Sequence, residues 1–140
     1  MLTISRAEMK STLSGYPSSN LIDGKLDNFG NSLADDNGMW VRVYLEEPHV
    51  VTKIIVYNRQ DCCKDRLIGV SVFIKLGNKT VTDCGKFKDV KDFYEFDCKG
   101  EGSVIELNKV GEVGEWNIAE IVIYGGEYNV VDRTSLILKT

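Results

Sequence analysis

The chain has 140 residues, 43% of them hydrophobic and 27% charged, a balance that suits one soluble globular domain with its own core. A formal net charge of −4 and the lack of a dominant basic run point away from a general nucleic-acid role. No apolar run nears the roughly 20 residues of a membrane helix, and residues 1–6 lack the apolar centre of a signal peptide.

Residues 1–19 are polar and irregular, with Gly15-Tyr16-Pro17-Ser18-Ser19 a loop signal. Asn20-Leu21-Ile22-Asp23-Gly24-Lys25-Leu26-Asp27-Asn28 then sets two apolar residues in a field of oxygens, with a tight turn at Asp23-Gly24. Such turns can hold a hard cation through carboxylates and carbonyls. An Asx-turn bonded only to itself is the plainer reading. Residues 29–37 form a Gly, Asn and Asp loop with little pattern.

Residues 39–45 alternate cleanly: Val41, Val43 and Leu45 share one face, and Trp40, Arg42 and Tyr44 the other. Glu46-Glu47-Pro48 is expected to end that strand, because proline cannot donate to a ladder. His49, the only histidine, is expected in the surface turn that follows. Residues 50–57 and 67–74, rich in β-branched residues, read as the next two strands.

Between them lies Asn58-Arg59-Gln60-Asp61-Cys62-Cys63-Lys64-Asp65-Arg66. Adjacent thiols do not fit zinc spacing, and guanidiniums suit oxygen-bearing ligands. A disulfide between Cys62 and Cys63 would make a stiff ring with an apolar sulfur face. With an arginine on either side, that platform suits a sugar with one hydrophobic edge and hydroxyls that need donors. The plainer alternative is a polar loop in which Asp61 and Asp65 only neutralise Arg59 and Arg66.

Further strands are expected at residues 79–83, 93–97, 103–107 and 118–124, punctuated by glycine turns at residues 77–78, 99–102 and 111–115. Residues 86–92 are a charge run read as a solvated loop, and Gly125-Gly126 marks the domain's edge. Residues 1–126 read as one domain, and residues 127–140 as a tail that adds a strand or serves as a linker. Many short strands without a helical period indicate an all-β sandwich or barrel.

Four cysteines allow three pairings, of which the simplest is local, Cys62 with Cys63 and Cys84 with Cys98. That pairing implies an oxidising compartment; four reduced thiols in a cytosolic protein are the alternative. The sequon Asn78-Lys79-Thr80 in a hairpin turn adds slight support for secretion. No nucleophile–base pair, phosphate loop or His-Glu-x-x-His motif is present, which points away from an enzyme.

With Arg-x-Asp-Cys-Cys-x-x-Arg at residues 59–66, Asn20-Leu21-Ile22-Asp23-Gly24, Trp40-Val41-Arg42-Val43-Tyr44-Leu45 and Ala119-Glu120-Ile121-Val122-Ile123, the chain resembles an F-type lectin (fucolectin) domain. This is a branch of the discoidin, or coagulation-factor C-type, superfamily, and the resemblance spans about residues 20–124. It implies an all-β, eight-stranded jelly-roll-like β-sandwich, extracellular or at the cell surface, that binds terminal L-fucose or related glycans. Arg59 and Arg66 would donate to the sugar, Cys62 and Cys63 would form the disulfide beneath it, Asp61 would orient an arginine, and Phe29 would line the pocket for the methyl group.

A structural Ca2+ is implied at Asp23 and Glu120, with Asn20, Lys25 and Ala119 offering carbonyls. Family members often present several weak sites together, which implies a homo-oligomer. The chain lacks the family's histidine before the tryptophan strand. Ser32 falls near that slot and is placed in both the sugar and metal sets, with Asn31, Asp35 and Asp36 as alternatives for the missing contact. A third family disulfide is also absent, Ala119 standing at one of its positions.

Two other functions compete. A discoidin-like adhesion domain would bind a protein, a lipid surface or a different glycan, with Leu33 and Met39 as its only candidate apolar spikes. A redox-active Cys-Cys protein is disfavoured, because each arginine has an acidic neighbour and no helix N-terminus lowers a thiol pKa.

Overall fold

A single strand of 22 residues organises the protein. In the computed structural model, which describes residues 1–33, 37–113 and 115–126, this strand β3 (Asn37–Asn58) pairs with four others. Its first half lies between β1 (Ile4–Met9) and β7 (Gly100–Val113), with β4 (Ser71–Leu76) and β5 (Lys79–Lys86) continuing beyond β7. Its second half lies between β6 (Phe93–Phe96) and β8 (Asn117–Gly126), with β2 (Gly30–Asn31) beyond β8. Among the described residues the eight strands form one antiparallel network that closes as a sandwich, because β3 contributes to both layers. The all-β fold expected from the sequence is thus the one observed.

The alternation in residues 39–45 holds. Val41, Val43 and Leu45 are buried, and Arg42 lies over the Trp40 ring on the outer face at 4.0 Å. Ile54 and Val56 from the second half meet Ile105, Leu107 and Ile123 in the same apolar cluster.

Several boundaries differ from the sequence reading, each for a physical reason. Pro48 does not end its strand. The β3·β7 register breaks between Tyr44 and His49, so the proline occupies a stretch where no ladder partner needs its missing N–H. His49 accordingly sits in β3 opposite Gly102, not in a turn.

The polar N-terminal segment contains β1, an outer strand whose Arg6 and Glu8 face solvent while Met9 is buried. Residues 67–74 are not one strand. Lys64–Leu67 is a 3-10 turn, the Val70 N–H donates to the Leu67 carbonyl at 3.1 Å, and Gly69 takes a φ of +88° before β4 begins. Strand β7 begins at Gly100 and runs to Val113, taking in residues 100–102 and 111–113 of the two expected turns.

Gly125 is a tightly packed position. A Cβ there would collide with the Val50 carbonyl oxygen where β8 crosses β3. The tail at residues 127–140 lies outside the described residues.

The charge run at 86–92 is a loop, yet Phe87 within it is 1% exposed. Its ring stacks on Tyr94 at 4.5 Å and on Phe96 at 5.1 Å. The disulfide Cys84–Cys98 clips the same corner, from β5 to the segment after β6. Phe87→Ala should therefore lower the unfolding free energy by about 3–5 kcal/mol, read as a fall in the urea midpoint with an unchanged slope.

Candidate functional site

The cysteine loop leaves the end of β3 through Asn58, which is fully buried. The Asn58 Nδ2 donates to the Lys64 carbonyl at 2.9 Å and to the Lys91 carbonyl at 3.1 Å, while its Oδ1 accepts the Arg59 N–H at 2.9 Å. One side chain thus closes the loop from inside. Cys62 and Cys63 are disulfide-bonded. Cys63, at φ 65°, is the one non-glycine residue with positive φ among the described residues. Left-handed backbone of this kind is costly for a side-chain-bearing residue and concentrates at binding sites.

Arg59 is fixed on two sides. Its Nε and Nη2 meet the Asp61 carboxylate at 2.6 and 3.1 Å, and its guanidinium lies 4.1 Å over the Phe29 ring. Asp61 thus holds the Arg59 guanidinium at two points. The Asp61 hydrogen bond, against some desolvation, holds Arg59 above its ordinary pKa, and the reciprocal bond holds the Asp61 carboxyl below its own. Phe29 in turn stacks on Tyr16 at 4.7 Å, nearly parallel at 11°. The Tyr16 loop is strapped in place because the Asn31 N–H donates to the Tyr16 carbonyl and the Leu13 N–H to the Asn31 carbonyl.

Arg66, on the 3-10 turn, has Nη1 3.3 Å from the Glu115 Oε1. That contact is an ion pair by distance but not an aligned hydrogen bond, and Nη1 is buried with no hydrogen-bond partner. Glu115 is also held by Asn31, whose Nδ2 donates to Oε1 at 2.7 Å.

Tyr16, Asn58 and Glu115 carry roles that the sequence reading did not assign. Glu115 had no local signal. It reaches the site because β2 and β8 pair, Asn31 opposite Asn117.

Ser32 is a correction. It is fully buried, its hydroxyl accepts the Trp116 N–H at 2.8 Å, its N–H donates to the Trp116 carbonyl at 2.9 Å, and its own carbonyl accepts from Asn31. It joins β2 to β8 rather than presenting an oxygen to sugar or metal. Asn31 is likewise buried, with its amide committed to Ser32, Glu115 and Asn117. Asp35 and Asp36 lie outside the described residues. Of the two apolar spikes, Leu33 is exposed but Met39 is buried.

At the Asp23 turn, the Asx-turn is present: Asp23 Oδ1 accepts the Lys25 N–H at 3.0 Å, and Gly24 takes a φ of +77°. The turn is more than self-bonded, however. Asp23 Oδ2 accepts from Asn28 Nδ2 at 2.6 Å, and Glu120 Oε2 from β8 accepts the Gly24 N–H at 3.0 Å. This leaves Glu120 Oε1 and Asn28 Oδ1 buried without hydrogen-bond partners.

Burial pushes the Glu120 carboxyl up to about 7, opposed by the Gly24 N–H and reinforced by Asp23 alongside. Two carboxylates and an orphaned amide oxygen are a donor set that suits a hard cation. Among the described residues no three carboxylate, imidazole or thiol side chains converge, so neutral oxygens would have to complete the shell. Asn20 Nδ2 donates to the Phe29 carbonyl at 3.1 Å, which leaves the Asn20 carbonyl, with those of Lys25 and Ala119, for that part.

Residues 20–107 match the NedA-like, galactose-binding domain family. Fucolectin-3 of Anguilla japonica is 33% identical over 73 residues, 49% of this chain and 41% of that protein. A fucose binding module of Streptococcus pneumoniae superposes with a TM-score of 0.78 at 18% identity, covering 86% of this chain and 90% of the module. The fucolectin from Morone saxatilis serum superposes with a TM-score of 0.73 at 23% identity, covering 87% of this chain and 47% of that one. The chain thus spans about half the length of these two fish lectins.

The loop's geometry depends on Asn58 more than on any charge. Asn58→Ala strands three partly buried backbone groups and should cost about 2–3 kcal/mol of stability. The exposed Asp61→Asn should stay within about 0.5 kcal/mol of the parent. Chemical denaturation of the two variants side by side checks the ranking.

Proposed function

The chain belongs to the family of NedA-like, galactose-binding domains, and on that premise we propose that its cysteine loop binds a terminal sugar of the L-fucose type without catalysis. The observation that carries this reading is Arg66 Nη1, a buried guanidinium donor without an aligned acceptor, next to an adjacent-residue disulfide. Because its carboxylate partner is not an aligned acceptor and the side chain stays 31% exposed, the Arg66 guanidinium keeps donors at its outer edge that a ligand oxygen would satisfy.

The ligand's chemistry follows from its surroundings. Arg59, held by Asp61, and Arg66 offer charge-assisted hydrogen bonds to a ring oxygen and hydroxyls. The disulfide and the stacked Tyr16 and Phe29 rings offer an apolar wall for a sugar's hydrophobic edge. A deoxy sugar with a methyl group suits that wall better than galactose, whose C6 hydroxyl would be left without a partner.

A structural Ca2+ completes the reading. Asp23, Glu120 and Asn28 would hold it, with carbonyl oxygens of Asn20, Lys25 and Ala119. Bound there, the cation would neutralise two carboxylates and tie the turn to β8. Two disulfides and the exposed Asn78 turn fit an extracellular setting, and the weak affinity expected of one small site is what a homo-oligomer would amplify.

Calorimetric titration with L-fucose, calcium present, is the test. Saturable binding that disappears in Arg66→Ala supports the reading; no heat at millimolar fucose overturns it. For the cation, calcium added to chelator-treated protein should raise the melting temperature, and Glu120→Gln should abolish that rise. An unchanged melting temperature in the parent would remove calcium from the account.

A further inference from the structure

Each arginine of the loop has a carboxylate, but the two carboxylates are built differently. Asp61 is exposed and spends both oxygens on Arg59. Glu115 comes from the other side of the site and is anchored by a buried network. Asn31, 1% exposed, holds its Oε1 at 2.7 Å, and Asn31 is itself fixed by the Ser32 carbonyl at 2.9 Å and the Asn117 amide at 3.2 Å. A carboxylate held so firmly keeps its remaining lone pairs in fixed directions. It offers about four acceptor positions, and the contacts from Asn31 and Arg66 both fall on Oε1.

The Glu115 side chain stays 28% exposed and that of Arg66 31% exposed, so this pair stands at the accessible edge of the site. The ion pair is not an aligned hydrogen bond. Its partners are therefore placed side by side, a donor next to an acceptor, rather than consumed by each other.

We propose that Glu115 is a specificity-determining residue of the sugar site, accepting a hydrogen bond from one hydroxyl of a neutral sugar while Arg66 donates to a neighbouring oxygen of the same ring. This rests on the carbohydrate reading and narrows it. With Arg59 matched by Asp61 and Arg66 by Glu115, the site carries no surplus positive charge for an anionic sugar. A hydroxyl is the group that can give a proton to the carboxylate and present an oxygen to the guanidinium next to it. The ligand class is a neutral deoxyhexose bearing vicinal hydroxyls, in preference to a sialic acid or a sulfated sugar.

The test is a titration of the parent, Glu115→Gln and Glu115→Asp with L-fucose and its 2-, 3- and 4-deoxy analogues, with melting curves to verify folding. The parent should lose about ten- to a hundredfold in affinity for one analogue, the size of a hydrogen bond to a charged group. Glu115→Gln should lose a similar factor on L-fucose and almost nothing on that same analogue, because the two changes remove one interaction. Glu115→Asp, with its carboxylate withdrawn by one methylene, should show the same selective pattern. Equal losses on every analogue would reduce Glu115 to a support for Arg66 and overturn the proposal, as would unchanged fucose binding in both variants. A parent that binds none of the four sugars sinks the carbohydrate reading itself, an outcome distinct from a parent that binds and variants that do not discriminate.

Discussion

The structure depends on β3 belonging to two layers at once. The 22-residue strand shifts register against β7 between Tyr44 and His49, and it passes to new partners a few residues further on, from Val50. Through Leu45 its neighbours are β1 and β7; β7 stays paired as far as Val51, and from Val50 onward β8 and then β6 take over. Both inner faces are then hydrophobic on the same strand, which is why Val41 and Val56 occupy one apolar cluster. The cysteine loop begins where this strand ends. Its position is thus set by the most heavily paired element in the protein, and Asn58 transmits that rigidity into the loop.

Around that loop, charge is compensated locally rather than by solvent. Arg59 and Asp61 form a two-point pair, and Arg66 and Glu115 a looser one. The difference bears on function. A guanidinium bonded twice to one carboxylate over an aromatic ring is a wall with one remaining edge, whereas one paired without an aligned hydrogen bond keeps donors for another acceptor. In the carbohydrate reading the first would shape a ligand's position and the second would reward its arrival.

How much of this was legible in the sequence depended on whether the signal was local. The alternation of Val41, Val43 and Leu45 is a period-two pattern contained in seven residues and is observed; the Arg-x-Asp-Cys-Cys-x-x-Arg loop is one contiguous string, and its local Cys62–Cys63 disulfide is present. Strand β1 gave no signal because an outer strand with Ser5, Arg6 and Glu8 lacks the apolar run of a buried one. Phe87 was missed because its neighbours are charged, yet the corner closed by Cys84–Cys98 and the rings of Tyr94 and Phe96 bury it. Glu115 could not be read at all. Its partners are 84 residues away at Asn31 and across another loop at Arg66, and only the β2·β8 register brings them together. Ser32 shows the converse error: a polar residue at a family slot, spent here on holding two strands.

The oxygen-rich turn and the cysteine loop are not independent regions. Glu120 reaches the turn through the Gly24 N–H, Asp23 reaches Asn28, and Asn20 holds the carbonyl of Phe29, the residue that follows. Phe29 carries Arg59 on its ring and Tyr16 on its flank. A short run of contacts therefore leads from two neighbouring carboxylates to the guanidinium of the other loop. Repulsion between Asp23 and Glu120 would loosen the turn and, with it, the carbonyl tether of Phe29. In the carbohydrate reading, order at the turn would therefore bear on how firmly Phe29 and Arg59 are held at the loop.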